Sequence, residues 1–91
     1  MSELALTSTS GTDFVEVPKG ERIGAVRADG GEVEIMGRER AGGAERRLRL
    51  RPTSESLGWI NPPEGVAWTA FRAAEQGATC YVELVPYEEG A

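Results

Sequence analysis

Glycines at Gly11, Gly20, Gly30, Gly42, Gly65 and Gly77 cut the chain into short runs, most of them about one strand long. The segments between them are rich in Val, Ile, Leu and Thr and too short to hold as isolated helices. A turn signal recurring at this interval is what an all-β sandwich or barrel looks like in sequence. The spacing therefore predicts one all-β domain over residues 1–91: an antiparallel β-sandwich, jelly-roll-like, of about seven or eight short strands.

The predicted strands cover residues 4–8, 14–17, 22–27, 32–38, 46–51, 59–60, 66–74 and 78–85. Asp29-Gly30 between two apolar runs is a strong hairpin signal, and Pro18-Lys19-Gly20 presets a turn. Pro62-Pro63 lacks two ladder donors and must end the short run at Trp59-Ile60. Residues 53–57 are expected to form a polar connection. The Ala-rich stretch 66–74 is the one place where a helix competes. Its Trp, Thr, Phe and Val favour strand, and no N-cap precedes it.

Alternation assigns faces. Leu48 and Leu50 point one way while Arg47, Arg49 and Arg51 point the other, and Cys80, Val82 and Leu84 face the core while Thr79, Tyr81 and Glu83 face out. Trp68 and Phe71 have opposite parity on one strand, so either one points outward or a bulge re-aims it.

A domain of this length buries only about 60–65% of the surface its unfolded chain exposes, so its core is modest. Cys80 is the only cysteine and there is no histidine, which removes an internal disulfide and leaves no ordinary zinc ligand set. No cofactor is expected. Association with other chains is the remaining route to extra stability. The start of the chain has neither a basic stretch nor an apolar one, so no signal peptide is expected and synthesis in a host cytoplasm is. No apolar run approaches the ~20 residues of a membrane-spanning helix, so no membrane partner is expected.

Candidate chemistry is sparse. Without histidine the usual general base and nucleophile activator are missing, and Cys80 on an apolar strand face is expected to be a buried structural thiol. Glu32 and Glu34 share a strand face and read as a solvated acidic stripe. Gly42-Gly43 lacks the Lys-Ser/Thr that a phosphate loop needs. The expectation is a protein that is not an enzyme.

Charge layout carries more. Net charge is −5, yet six of the ten positive charges fall within residues 38–51, as Arg38, Arg40, Arg46, Arg47, Arg49 and Arg51. Nucleic acid is disfavoured, because the overall field is repulsive and no aromatics interleave the arginines. The arginines are either the wet face of an amphipathic hairpin or an interface whose acidic counterpart comes from a second copy, since like charges on one strand face need opposition. Arg46, Arg47, Arg49, Arg51 and the tail residue Tyr87 are the candidate interface. Trp59 and Trp68 are expected mainly in the core, with a sugar-stacking platform as the alternative use of the aromatic side chains.

The stretch Trp59-Ile60-Asn61-Pro62-Pro63-Glu64-Gly65-Val66-Ala67-Trp68, the hairpin Ala73-Ala74-Glu75-Gln76-Gly77-Ala78-Thr79 and the opening phrase Phe14-Val15-Glu16-Val17-Pro18-Lys19-Gly20 resemble small virion proteins of tailed phages and phage-like particles. Such proteins are short β-sandwiches that decorate or cement capsids or build spikes and tail attachments. The resemblance implies a virion component whose partners are capsid or other virion proteins, forming a homo-oligomer such as a trimer or pentamer. It transfers no site residues. A carbohydrate- or receptor-binding module, or a small inhibitor of a host protein, are the rival expectations.

Overall fold

Pairing between distant parts of the chain explains the whole architecture. The computed structural model describes residues 5–39, 42–52 and 58–86. Seven strands follow in order: β1 (Ala5–Thr9), β2 (Val15–Glu16), β3 (Glu21–Asp29), β4 (Val33–Glu39), β5 (Glu45–Leu50), β6 (Val66–Ala73) and β7 (Thr79–Pro86). They form a three-stranded sheet of order β1-β7-β3 and a four-stranded sheet of order β2-β6-β4-β5, all antiparallel. The expected all-β sandwich is what the chain forms, and the stretch where a helix competed is strand over Val66–Ala73.

The chain is one long hairpin rolled upon itself. Its two arms pair β1 with β7, β2 with β6, β3 with Ile60 through an isolated bridge to Val26, and β4 with β5. Rolling then brings β7 beside β3 and β6 beside β4. This is the double Greek-key winding of a jelly roll. The position next to β3, where a further strand would complete the roll, holds among the described residues the Ile60 bridge alone, whose N–H and C=O both bond to Val26 at 2.8 and 2.9 Å. Pro62 and Pro63 follow at once and cannot extend the ladder.

The inner faces of the two sheets supply the core. Ile23 and Val26 of β3, Val33 and Ile35 of β4, Phe71 of β6, and Cys80 and Val82 of β7 are its largest fully buried members. The alternation expected for β7 holds, with Cys80, Val82 and Leu84 buried and Thr79, Tyr81 and Glu83 partly exposed. β6 resolves its parity conflict by a bulge. Met36 pairs with Ala70 but the next residue, Gly37, pairs with Trp68, so Thr69 is left over and exposed. The strand changes phase there, and both Trp68 and Phe71 point inward, 4% and 1% exposed. Gly37 makes the bulge possible. A Cβ at that position would run into the Ala67 carbonyl and stand 2.8 Å from the Trp68 Cα.

At the opposite end of β4, the β3–β4 turn packs on the β6–β7 turn. Gly30 sits at φ +77°, and a Cβ there would lie 2.6 Å from the Gly77 carbonyl oxygen. Side chains are excluded at this contact by both conformation and space.

Gly37→Ala is expected to cost about 2–3 kcal/mol, as overpacking against fixed backbone does. Gly42→Ala, at φ +76° with open space around it, should cost only about 1 kcal/mol. Urea midpoints at unchanged slope measure both; equal losses at the two positions would contradict the role given to Gly37.

Candidate functional site

β5 carries the candidate arginines and forms one edge of the four-stranded sheet, paired only to β4 among the described residues. Its alternation is as expected: Leu48 and Leu50 turn inward and are half-buried, while Arg47 and Arg49 are exposed on the outer face. Arg46 and Arg51 are exposed as well. The structure therefore brings four of the five candidate interface residues together on one edge. Tyr87 lies outside the described residues.

The arginines are opposed within the chain. Arg46 meets Glu39 at 2.5 Å, and Arg47 meets Glu45 at 3.2 Å. Arg49 and Arg51 converge on the two oxygens of Glu32, at 3.4 and 3.1 Å. Glu32 is itself held in place, its backbone N–H donating to Glu75 Oε1 at 2.6 Å. Like-charge repulsion along β5 is thus relieved in cis, and no second copy is needed for that purpose. In each pair the arginine is more than half exposed and the acid partly so, and each contributes about 1 kcal/mol, so each can be exchanged for another acid at modest cost.

Glu34 departs from its expected place. It is not on a solvated stripe but 8% exposed, and its carboxylate accepts two bonds from Arg72, from Nε at 2.8 Å and from an Nη at 2.5 Å. The other Nη of Arg72 donates to the Thr12 carbonyl at 3.2 Å. Phe14 covers the pair: its ring centre lies 4.9 Å from the Arg72 guanidinium and 5.6 Å from that of Arg47. Arg72 therefore ties together β6, β4 and the segment leading into β2. Sequence reasoning missed this cluster, although the signal was present. Glu34 and Arg72 are outward-facing residues of adjacent strands, and they become directly opposite once β4 is paired with β6.

Among the described residues the aromatic side chains form no open platform. Trp68 is buried and its indole N–H donates to the Pro63 carbonyl at 3.0 Å. Trp59 is half-buried and stands outside the central core cluster, so of the two tryptophans only Trp68 fills the place expected of both. Tyr81 is half-buried with the Arg27 guanidinium 5.4 Å from its ring centre. The loop pinned by Trp68 separates two shallow clefts of about 710 and 440 Å³. The larger is lined by Arg22, Asn61, Glu64 and Pro86, and the smaller by Glu39, Arg46, Arg47 and Leu48.

Cys80 is fully buried between β1 and β3, and desolvation pushes its thiol up to about 12. At neutral pH it stays protonated, which removes it as a nucleophile. The arrangement offers an open strand edge, a row of exposed arginines and an outer face held by the Arg72–Glu34 pair. The chain matches no protein-family model, no curated protein and no solved structure.

Arg72→Met should destabilise by about 2–4 kcal/mol because it strands the buried Glu34 carboxylate, whereas Arg49→Met should cost less than about 1 kcal/mol. Denaturant melts of the two variants decide this, and equal costs would refute it. Alkaline titration tests Cys80. Below pH 9 both folded and unfolded chains keep the thiol protonated, so it adds no pH dependence. Between pH 9 and 12 the unfolded chain releases the proton and the folded one does not, so stability falls as pH rises. Cys80→Ala should flatten that fall.

Proposed function

We propose that the chain is a non-enzymatic structural protein of a phage or phage-like particle, a minor capsid or decoration component that binds neighbouring copies and capsid subunits. One observation carries this reading: among the described residues β5 is a sheet edge paired on one side only, lined with exposed arginines whose counter-ions are partly exposed acids of the same chain. An edge strand offers backbone donors and acceptors to an incoming strand, and the charges around it decide which strand is accepted. The jelly-roll winding supports the reading by analogy of fold alone, since capsid domains use it among other proteins. On this reading the mechanism is binding without chemistry. Many modest contacts, repeated on a symmetric shell, add through multivalency.

Light scattering of the purified chain across a wide concentration range tests the proposal, and a stable trimer or pentamer is the expected mass. The double variant Arg47→Glu/Arg49→Glu should lose that assembly while its melt stays within about 2–3 kcal/mol of the parent, since two partly exposed cis pairs are lost and reversed. A parent chain that is strictly monomeric at every concentration would rule out assembly between copies.

A further inference from the structure

We infer that copies of the chain join head to tail, the β5 edge of one pairing antiparallel with the β2 edge of the next, so that the four-stranded sheet continues from copy to copy. The inference rests on the assembly reading above and names its contact.

The direction of the strands permits it. A sheet of four antiparallel strands ends on strands of opposite direction, so β5 of one copy and β2 of a second, equally oriented copy meet antiparallel. The backbone permits it too. Glu39 and Ala44 form a bonded pair in the β4–β5 ladder, so β5 residues 46, 48 and 50 bond to β4 and residues 45, 47 and 49 turn their N–H and C=O outward. In β2 the bond from the Val17 N–H to the Thr69 carbonyl, together with the pairing of Val15 with Phe71, leaves the backbone groups of Phe14 and Glu16 turned outward. The two edges therefore present free groups on residues that can be placed opposite one another.

Side chains select the register. Setting Arg49 opposite Glu16 makes a bonded pair on the outer face and joins opposite charges. The same register sets Leu50 opposite Val15 and Leu48 opposite Val17 on the inner face. All four are apolar residues at which the core layer now ends uncovered: Val15 is 41% exposed, and Leu48, Leu50 and Val17 are half-buried against the core. Glu16 is exposed and enters no ion pair among the described residues, as does its neighbour Asp13.

Symmetric pairing of two β5 edges is the competing arrangement, and the charges reject it. Registers that overlap the two β5 edges fully set Arg47 or Arg49 opposite another arginine. The slipped register that opposes Arg47 with Glu45 sets Arg46 opposite Arg46 and leaves Leu48 and Leu50 facing only Ala44 and Gly42. A head-to-tail contact is heterologous, so it closes as a ring or propagates, in keeping with a trimer or pentamer.

Disulfide trapping tests the contact. Within one chain β2 and β5 lie three strand spacings apart, about 14 Å, far beyond disulfide reach. Cys80 is buried and stays out of the exchange. When Val15→Cys and Leu50→Cys chains are mixed and oxidised, a disulfide joining one of each is expected, with neither self-pair. A charge exchange needs no core change. Glu16→Arg and Arg49→Glu should each weaken assembly by about tenfold or more, and the double variant should recover it. An oligomer that gives no mixed disulfide, or that gives the Leu50→Cys self-pair, would overturn this contact and leave assembly standing on another surface. A chain that scatters as a monomer at all concentrations would overturn both.

Discussion

One residue with no partner on β4, Thr69, decides what the core of this small sandwich contains. If β6 kept strict alternation, either Trp68 or Phe71 would face water, and a core this modest would lose one of its largest side chains. The bulge opposite Gly37 turns both inward. Its effect spreads along the chain. Trp68, once inside, donates its indole N–H to the Pro63 carbonyl and so fixes the loop that follows Ile60. Ile60 in turn holds β3 through two backbone bonds to Val26, which is where the roll closes. The jelly-roll winding at that side thus depends on a phase change in a strand of the opposite sheet.

A second constraint is electrostatic. A strand reading Arg-Arg-Leu-Arg-Leu-Arg repels itself along one face, and it tolerates that arrangement because β4, the β3–β4 turn and β5 itself supply acids within reach. The pairs are not equivalent. Those of β5 set exposed arginines on partly exposed acids and are weak, whereas in the Arg72–Glu34 pair both partners are mostly buried and each satisfies the other. The outer face of the four-stranded sheet is therefore stiff in the middle, at Arg72, and adaptable at its rim, at β5. That division suits a surface whose centre holds its shape while its edge exchanges partners.

The fold was largely legible in the sequence because it is punctuated by Gly and Pro and carried by period-two alternation. Both signals are local. The strands around Asp29-Gly30 and Glu75-Gln76-Gly77 fall within a residue or two of their expected bounds, and the faces of β5 and β7 follow from parity alone. The opposite parity of Trp68 and Phe71 left either an outward ring or a bulge, and the bulge is what forms. The buried state of Glu34 was not legible. It requires knowing that β4 lies beside β6, some thirty residues further along the chain, and no local pattern encodes that pairing. The counter-ions of the arginines escaped for the same reason. Glu32 reaches Arg49 and Arg51 only after the β4–β5 hairpin has formed.

The size of the chain and the chemistry of its edges belong to one argument. A domain of this length without a disulfide cannot wrap its core completely, and the shortfall has to appear somewhere on its surface. In the three-stranded sheet, the outer edge of β3 is partly covered by Ile60. In the four-stranded sheet, both edges leave apolar side chains half-covered: Leu48 and Leu50 at one, Val15 and Val17 at the other. Uncovered apolar edges would invite indiscriminate pairing, and charge is the usual defence. Here the defence has opposite sign at the two ends, arginines on β5 and acids beside β2. Like edges therefore repel while unlike edges attract. The apolar rim supplies the tendency to associate and the charges decide with what, so the division of labour between them makes an incomplete core selective rather than merely adhesive.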